Sequence, residues 1–404
     1  MAHIRVTDFP PNVLLAIANL LPRSDIRELS LTCREFRDPS QSCLFKGMKV
    51  SMKTKGRWPK TPKRVTRFFR RHPHLAHHVR RLLLEGNNAD SSEDMILTFP
   101  ECIRIVDLLP NLRRLELHQI DFACLKTGVK RGYHHPSLSA IILNDVREVG
   151  KQASTLELAR IASSCRFEMN NVSHIFPNKY RPLRTQLQLD VLLLVDKTIG
   201  LDMRAGPMTE AELNIVGLQA LGIAEVAPYR KDLLDPLLTT NANSLRRLLI
   251  SLSPCNERGH GPWWSSISKL SRCTMLDTVW LRMPLCLRNT TITWRGATAP
   301  PTGWTLGTQL DVCYDAVSNL PPSLKLLVLV LEVSPYEMIT DIGEILARIR
   351  WGRIQQAITR LPELRGVGVE LANSLWRQDN WPEYVTRPMV ASFRSGTLPL
   401  MVGA

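Results

Sequence analysis

Much that would classify this chain quickly is missing. No run of eighteen or more apolar residues occurs, so the simplest signature of a membrane-spanning helix is lacking. The opening residues, MAHIRVTDFPP, contain no apolar h-region, and a secreted protein is not expected. The nine cysteines are odd in number and scattered (33, 43, 102, 124, 165, 255, 273, 286 and 313), with no C-x-x-C pair. They read as reduced, mostly buried thiols of a cytosolic or nuclear protein, not as a disulfide frame or zinc site. Phosphate-cradling and nucleophile-elbow motifs of the G-x-x-x-x-G-K-[ST], G-x-G-x-x-G and G-x-S-x-G types are absent too. His72, His74, His77 and His78 form the densest group of potential ligands. Pro73 disturbs their helix and no H-E-x-x-H follows, so no metal or other cofactor is expected. Nothing points to catalysis.

Acidic residues are missing from one stretch. Between Lys46 and Arg81 there are thirteen Lys and Arg and no Asp or Glu, so nearly all of the net charge of +15 sits there. The first half, KGMKVSMKTKGRWPKTPKR, has few apolar anchors and reads as a linker or exposed loop. Lys53, Lys55, Lys60, Lys63 and Arg64 are expected in a mobile, solvated loop. From Val65 onward an amphipathic helix is plausible, with Phe68, Phe69 and Leu75 packing the joint to the large C-terminal domain. Such a run could bind nucleic acid, direct nuclear import or meet an acidic partner. The plainer reading, a solvated basic surface with at most weak affinity for polyanions, is preferred.

What is present begins at Phe9 and ends at Phe45. Pro11 to Leu20 reads as a helix, with proline tolerated in its first turn. Val13, Leu14, Ile17, Leu20 and Leu21 follow helical spacing. Pro22 breaks the chain, and Ser24 is a candidate N-cap for a second helix with Asp25, Ile26, Leu29 and Cys33. Arg34, Phe36 and Arg37 lead into Pro39 and the start of a third helix. The apolar residues face outward as well as inward, in a unit too small to bury a stable core alone, so it needs a partner.

The order Phe9-Pro10, Leu20-Leu21, Pro22-x-x-Asp25-Ile26-x-x-Leu29, Thr32-Cys33-Arg34-Glu35-Phe36 resembles an F-box. Two departures are Phe9 for the usual leucine and Asn12-Val13 where an acidic residue is common. The resemblance covers about forty of the 404 residues. It implies docking on a Skp-family adaptor, and through it a cullin, by Phe9, Pro10, Leu14, Ile17, Leu20, Pro22, Ile26, Leu29 and Cys33.

A repeat begins after the basic stretch, L-x-x-L-x-L with other aliphatics allowed and often led by Leu-Pro. Its copies begin at Val79, Leu112, Leu138, Leu245, Leu276, Leu324 and Leu364, with weaker candidates at Leu189 and Leu213. The L-x-L half suits a short strand with alternate residues inward, stacked on the next copy. Helical patterns lie between copies, at 100–109, 155–164, 265–270 and 336–350. Spacings of 33, 26 and 48 residues are irregular, so the array resembles a degenerate leucine-rich repeat with insertions. Trp263, Trp264, Trp294 and Trp304 fall in Gly- and Pro-containing loops and more often cover an edge than anchor a ligand.

Taken together, the chain resembles the fungal-type F-box proteins with degenerate leucine-rich repeats. The fold class expected is α/β: a three-helix F-box at 1–48, a basic linker and helix at 49–78, an irregular repeat domain with one curved parallel sheet at 79–373, and a tail at 374–404. The expected role is a non-enzymatic substrate-recognition subunit of an SCF-type ubiquitin ligase, binding an unknown protein substrate in cytosol or nucleus, without a membrane and without tight nucleic-acid binding. The alternative is a basic nucleic-acid or chromatin-associated scaffold.

Overall fold

The computed structural model describes residues 9–32, 34–52, 61–86, 96–123, 133–149, 155–162, 165–170, 172–174, 187–195, 215–224, 234–251, 263–285, 306–333, 349–373 and 401–403. The chain is α/β, with parallel sheets in each of two compact units, residues 1–179 and 180–404.

The first unit opens with helices α1 (Pro11–Leu20), α2 (Arg23–Thr32) and α3 (Arg34–Lys46). Leu14 and Ala18, one turn apart on α1, are buried with Ile26 of α2 and Phe36 of α3. Helix α2 starts before Ser24: the Pro22 carbonyl already accepts the Ile26 N–H at 3.0 Å, and Ser24 bonds Asp25 instead of capping. Pro39 lies inside α3, where it removes one backbone donor without ending the helix.

Strand β1 (Gly47–Ser51) follows α3 directly, where a linker was expected. Next come α4 (Pro62–Arg71) and α5 (Pro73–Ala76). Lys63 and Arg64 therefore sit in the first turn of a helix and not in a loop; Lys53, Lys55 and Lys60 lie outside the described residues. Phe69 and Leu75 are buried, α4 packs on α6 (Phe99–Asp107), and α5 contacts α3, so this segment does form the joint. Strands β2 (Arg81–Glu85), β3 (Leu97–Thr98), β4 (Arg114–His118), β5 (Asp121–Ala123), β6 (Ala140–Asn144), β7 (Arg147–Glu148), β8 (Arg166–Asn170) and β9 (Ser173–His174) complete the unit. A 3-10 helix occupies 155–161. The order β1-β2-β4-β6-β8 makes a parallel sheet, and β3-β5-β7-β9 makes a smaller parallel one beside it.

Register explains the core. Leu82, Leu115, Ile141 and Phe167 align across neighbouring strands, as do Leu84, Leu117, Leu143 and Met169. Strand side chains alternate between faces, so these rows stack on one side of the sheet. Helix α6 is held by a reciprocal cap: the Thr98 hydroxyl accepts the Glu101 N–H, and the Glu101 carboxylate accepts the Thr98 N–H.

The second unit contains β10 (Leu187–Gln188), β11 (Val191–Val195), β12 (Ile215–Val216), β13 (Ala220–Ala224), α7 (Leu234–Thr240), β14 (Arg247–Ser251), β15 (Thr278–Leu285), α8 (Leu306–Ser318), β16 (Leu326–Val333), α9 (Trp351–Ile358), β17 (Gly366–Asn373) and β18 (Met401–Gly403). Strands β11-β13-β14-β15-β16-β17-β18 form its parallel sheet, and β10 pairs with β12. Leu248, Leu327 and Leu329 are fully buried, as expected of the repeat leucines. The candidate at Leu213 is shifted: the sheet strand is β13, and its inward residues are Leu221 and Ile223, with Leu218 buried just before it. Among the described residues no helix is long and apolar enough to cross a membrane.

Candidate docking surface

Five large hydrophobic side chains are exposed among the described residues: Phe9, Ile17, Leu20, Leu31 and Met275. Three belong to the N-terminal helices, and Phe9 lies just before the first of them. Helix α1 is apolar on two sides. Leu14 and Ala18 point inward, whereas Ile17 is exposed and Leu20 is 85 % exposed, one turn apart on the outer side. Leu31, near the end of α2, is 81 % exposed. Burying one such leucine stabilises by roughly 1.5–3 kcal/mol, a gain the isolated chain forgoes at both positions.

Of the residues expected to dock, Phe9, Pro10, Ile17, Leu20 and Pro22 are exposed and Leu29 is half-buried. Leu14 and Ile26 are buried between the helices. They serve the internal packing, because a side chain closed off inside the unit has no surface left to offer a partner. Cys33 lies outside the described residues. Leu31 was missed; its neighbours Ser30 and Thr32 disguise it in sequence, and its exposure emerges only once the orientation of α2 is known.

A second surface lies on the first unit's main sheet, on the face away from the leucine rows. Register brings Arg81, Arg114, Ala140 and Arg166 into one row, Lys49, Leu83, Glu116, Ile142 and Glu168 into the next, and Ser51, Glu85, His118, Asn144 and Asn170 into a third. Glu116 is buried. Arg81 grips it with two N–H groups, Nη2 at 2.9 Å, and Arg114 Nε stands 2.6 Å away. Burial pushes its carboxyl up, but hydrogen bonds from His118 and Arg81 and the charges of Arg114 and Arg81 outweigh burial and hold it down at about 2. Glu168 is buried as deeply with Arg166 as its main partner, and there burial wins and raises its carboxyl. Of the arginines within the L-x-x-L-x-L copies, Arg113 and Arg246 are exposed, whereas Arg114 and Arg247 are half-buried.

In the second unit the corresponding face carries an apolar cluster, with Ser251 and Arg282 buried on the same side. Leu193, Ala220, Leu249, Trp280, Val328 and Val330 form a buried cluster, and the Trp280 indole N–H has no hydrogen-bond partner among the described residues. The loop residues Trp294 and Trp304 lie outside the described residues, and so do the side chains of Trp263 and Trp264. Described cysteines are all free. Burial pushes the Cys102 and Cys313 thiols up to about 12 and Cys273 to about 11, which makes them poor nucleophiles. Among the described residues no three His, Cys, Asp or Glu side chains group in a way that could hold a metal ion. A scan against protein-family models gives no match, and a search of curated proteins gives none either.

Proposed function

We propose that the chain is an F-box protein: a substrate-recognition subunit of an SCF-type ubiquitin ligase that performs no chemistry itself. On this reading α1 to α3 dock on a Skp-family adaptor, and a degenerate leucine-rich-repeat array presents its sheet face to a protein substrate. The observation carrying the proposal is the concentration of exposed large apolar side chains in the N-terminal helices, with Leu20 and Leu31 more than four-fifths exposed. Monomeric surfaces seldom leave such residues grouped without a partner to cover them. The array reading rests on parallel strands in sequence order with aligned leucine rows in each unit.

The test is co-purification of a tagged full chain with a Skp-family adaptor. Leu20→Asp with Leu31→Asp should abolish capture while the melting temperature stays unchanged. Capture at wild-type level by that double variant overturns the docking proposal.

A further inference from the structure

Helix α4 presents a face made of cations alone. Lys63, Arg64, Arg67, Arg70 and Arg71 are exposed, whereas Val65, Thr66 and Phe69 on the other side are buried. At about 100° per residue the five charges share an arc of roughly 120°. The helix contains no acidic residue, and none of the five has an ion pair or hydrogen bond among the described residues.

Helix physics disfavours this arrangement. Arg67 has like charges three or four residues away at Lys63, Arg64, Arg70 and Arg71, and such pairs repel. Lys63 and Arg64 stand at the positive end of the helix dipole with no carboxylate in the first turn. Only Arg70 and Arg71, at the carbonyl end, are placed favourably. An external polyanion would add attraction to each of these cations and so offset the repulsion.

We propose that this face binds the sugar-phosphate backbone of a double-stranded nucleic acid without regard to base sequence. A ten-residue helix is about 15 Å long, and a duplex carries one charge per roughly 1.7 Å of axis, so several phosphates come within reach. Four of the five cations are arginines, whose planar forks match phosphate oxygens. An interface with an acidic protein would want an apolar or aromatic centre, and this face has none. A membrane surface would need the apolar side of the helix free, yet Val65 and Phe69 are buried. Single strands call for open aromatic platforms, and Phe68 is half-buried against Phe69 and His72. The face carries no Asn or Gln to read adenine edges. The proposal stands apart from the adaptor reading and survives if that reading fails.

The experiment uses the full chain and fluorescein-labelled 20-base-pair duplexes of DNA and of RNA, read by anisotropy between 50 and 150 mM KCl. With about four phosphate contacts, affinity should fall about fifty-fold over that range, and a scrambled duplex should bind equally. Changing Lys63, Arg64, Arg67, Arg70 and Arg71 to Gln should weaken binding at least tenfold at 50 mM and flatten the salt dependence. Arg360→Gln with Arg365→Gln, both exposed and far along the chain, should change nothing. If the five-site variant melts early, Arg67→Glu alone decides, and it should still lose binding. No duplex binding at 50 mM KCl overturns the proposal, and so does unaltered binding by a folded variant. Tighter binding to poly-glutamate, or to vesicles with 30 % anionic lipid, also overturns it.

Discussion

The side-chain amide of Asn241 holds the backbone at Leu218: its Oδ1 accepts the Leu218 N–H at 3.0 Å, while its Nδ2 donates to the Ile215 and Leu237 carbonyls. Asn241 is buried, so no solvent replaces these bonds. Asn241→Ala leaves the Leu218 donor and the Ile215 acceptor stranded, at a cost of about 2–4 kcal/mol. Asn241→Asp restores the acceptor but not the donor and should not rescue. Thermal melting of both variants checks this; an unchanged midpoint for Asn241→Ala would sink it.

Gly86 is fixed by proximity. A Cβ built there would lie 2.4 Å from the Gln119 carbonyl oxygen, and the Gly86 N–H itself donates to the His118 carbonyl at 2.8 Å. Gly86→Ala must push two neighbouring turns apart and should cost about 1–3 kcal/mol. Gln119→Gly should do no harm, since Gln119 already adopts a left-handed φ of 51°. Urea titration of the two variants distinguishes them; equal midpoints would refute the steric argument.

Acid should act on Glu116 and Glu168 in opposite directions. The Glu116 carboxyl titrates lower in the folded chain, at about 2, than in the unfolded one. Its stabilisation is therefore present at neutral pH and is lost as pH falls through the folded value. Glu168 is raised, so its ionised form opposes folding at neutral pH and that opposition fades on acidification. Glu116→Gln should lose about 2 kcal/mol at pH 7 and almost nothing near pH 2. Glu168→Gln should cost less at pH 7 than Glu116→Gln, although both side chains are equally buried. Denaturant midpoints at the two pH values provide the measurement, and a reversed ranking at pH 7 would count against it.

In the N-terminal helices, exposure separates packing from surface. Leu14→Ala and Ile26→Ala should each lower stability by about 2–4 kcal/mol. Leu20→Ser and Leu31→Ser should shift it by less than about 0.5 kcal/mol, because nothing among the described residues covers them. Calorimetry on the four single variants tests this, and a loss at Leu20 as large as that at Leu14 would show that Leu20 is not free.

Where leucine marked both inward positions, the sequence located strands well: Leu115 with Leu117, and Leu327 with Leu329, are all fully buried. Strand β1 escaped notice because Met48 and Val50 stand in for leucine beside several lysines. Strand β8 escaped because Phe167 and Met169 do, with a serine at the lead position. The face away from those rows was harder to read. A buried Glu116 looks in sequence like any exposed glutamate, since its burial depends on Arg81 and Arg114 arriving from strands 33 residues apart. The division of labour within α1 was hidden for a related reason. Leu14 and Ile17 are equally apolar, and only the packing of α3 decides which one turns inward.

Helix α3 ends at Lys46, and β1 begins at Gly47 with no spacer. The Arg80 N–H closes on the Lys46 carbonyl at 3.0 Å, locking the splice to the next strand. A tether between two binding modules lets a captured molecule sample a sphere whose radius grows with linker length. Here that length is zero, so whatever grips the outer side of α1 is held at one attitude to the β2-β4-β6-β8 face. Reach then becomes a matter of bearing instead of diffusion: a molecule on that face cannot swing toward one on α1. Gly-Ser residues inserted after Lys46 would convert this fixed bearing into a search.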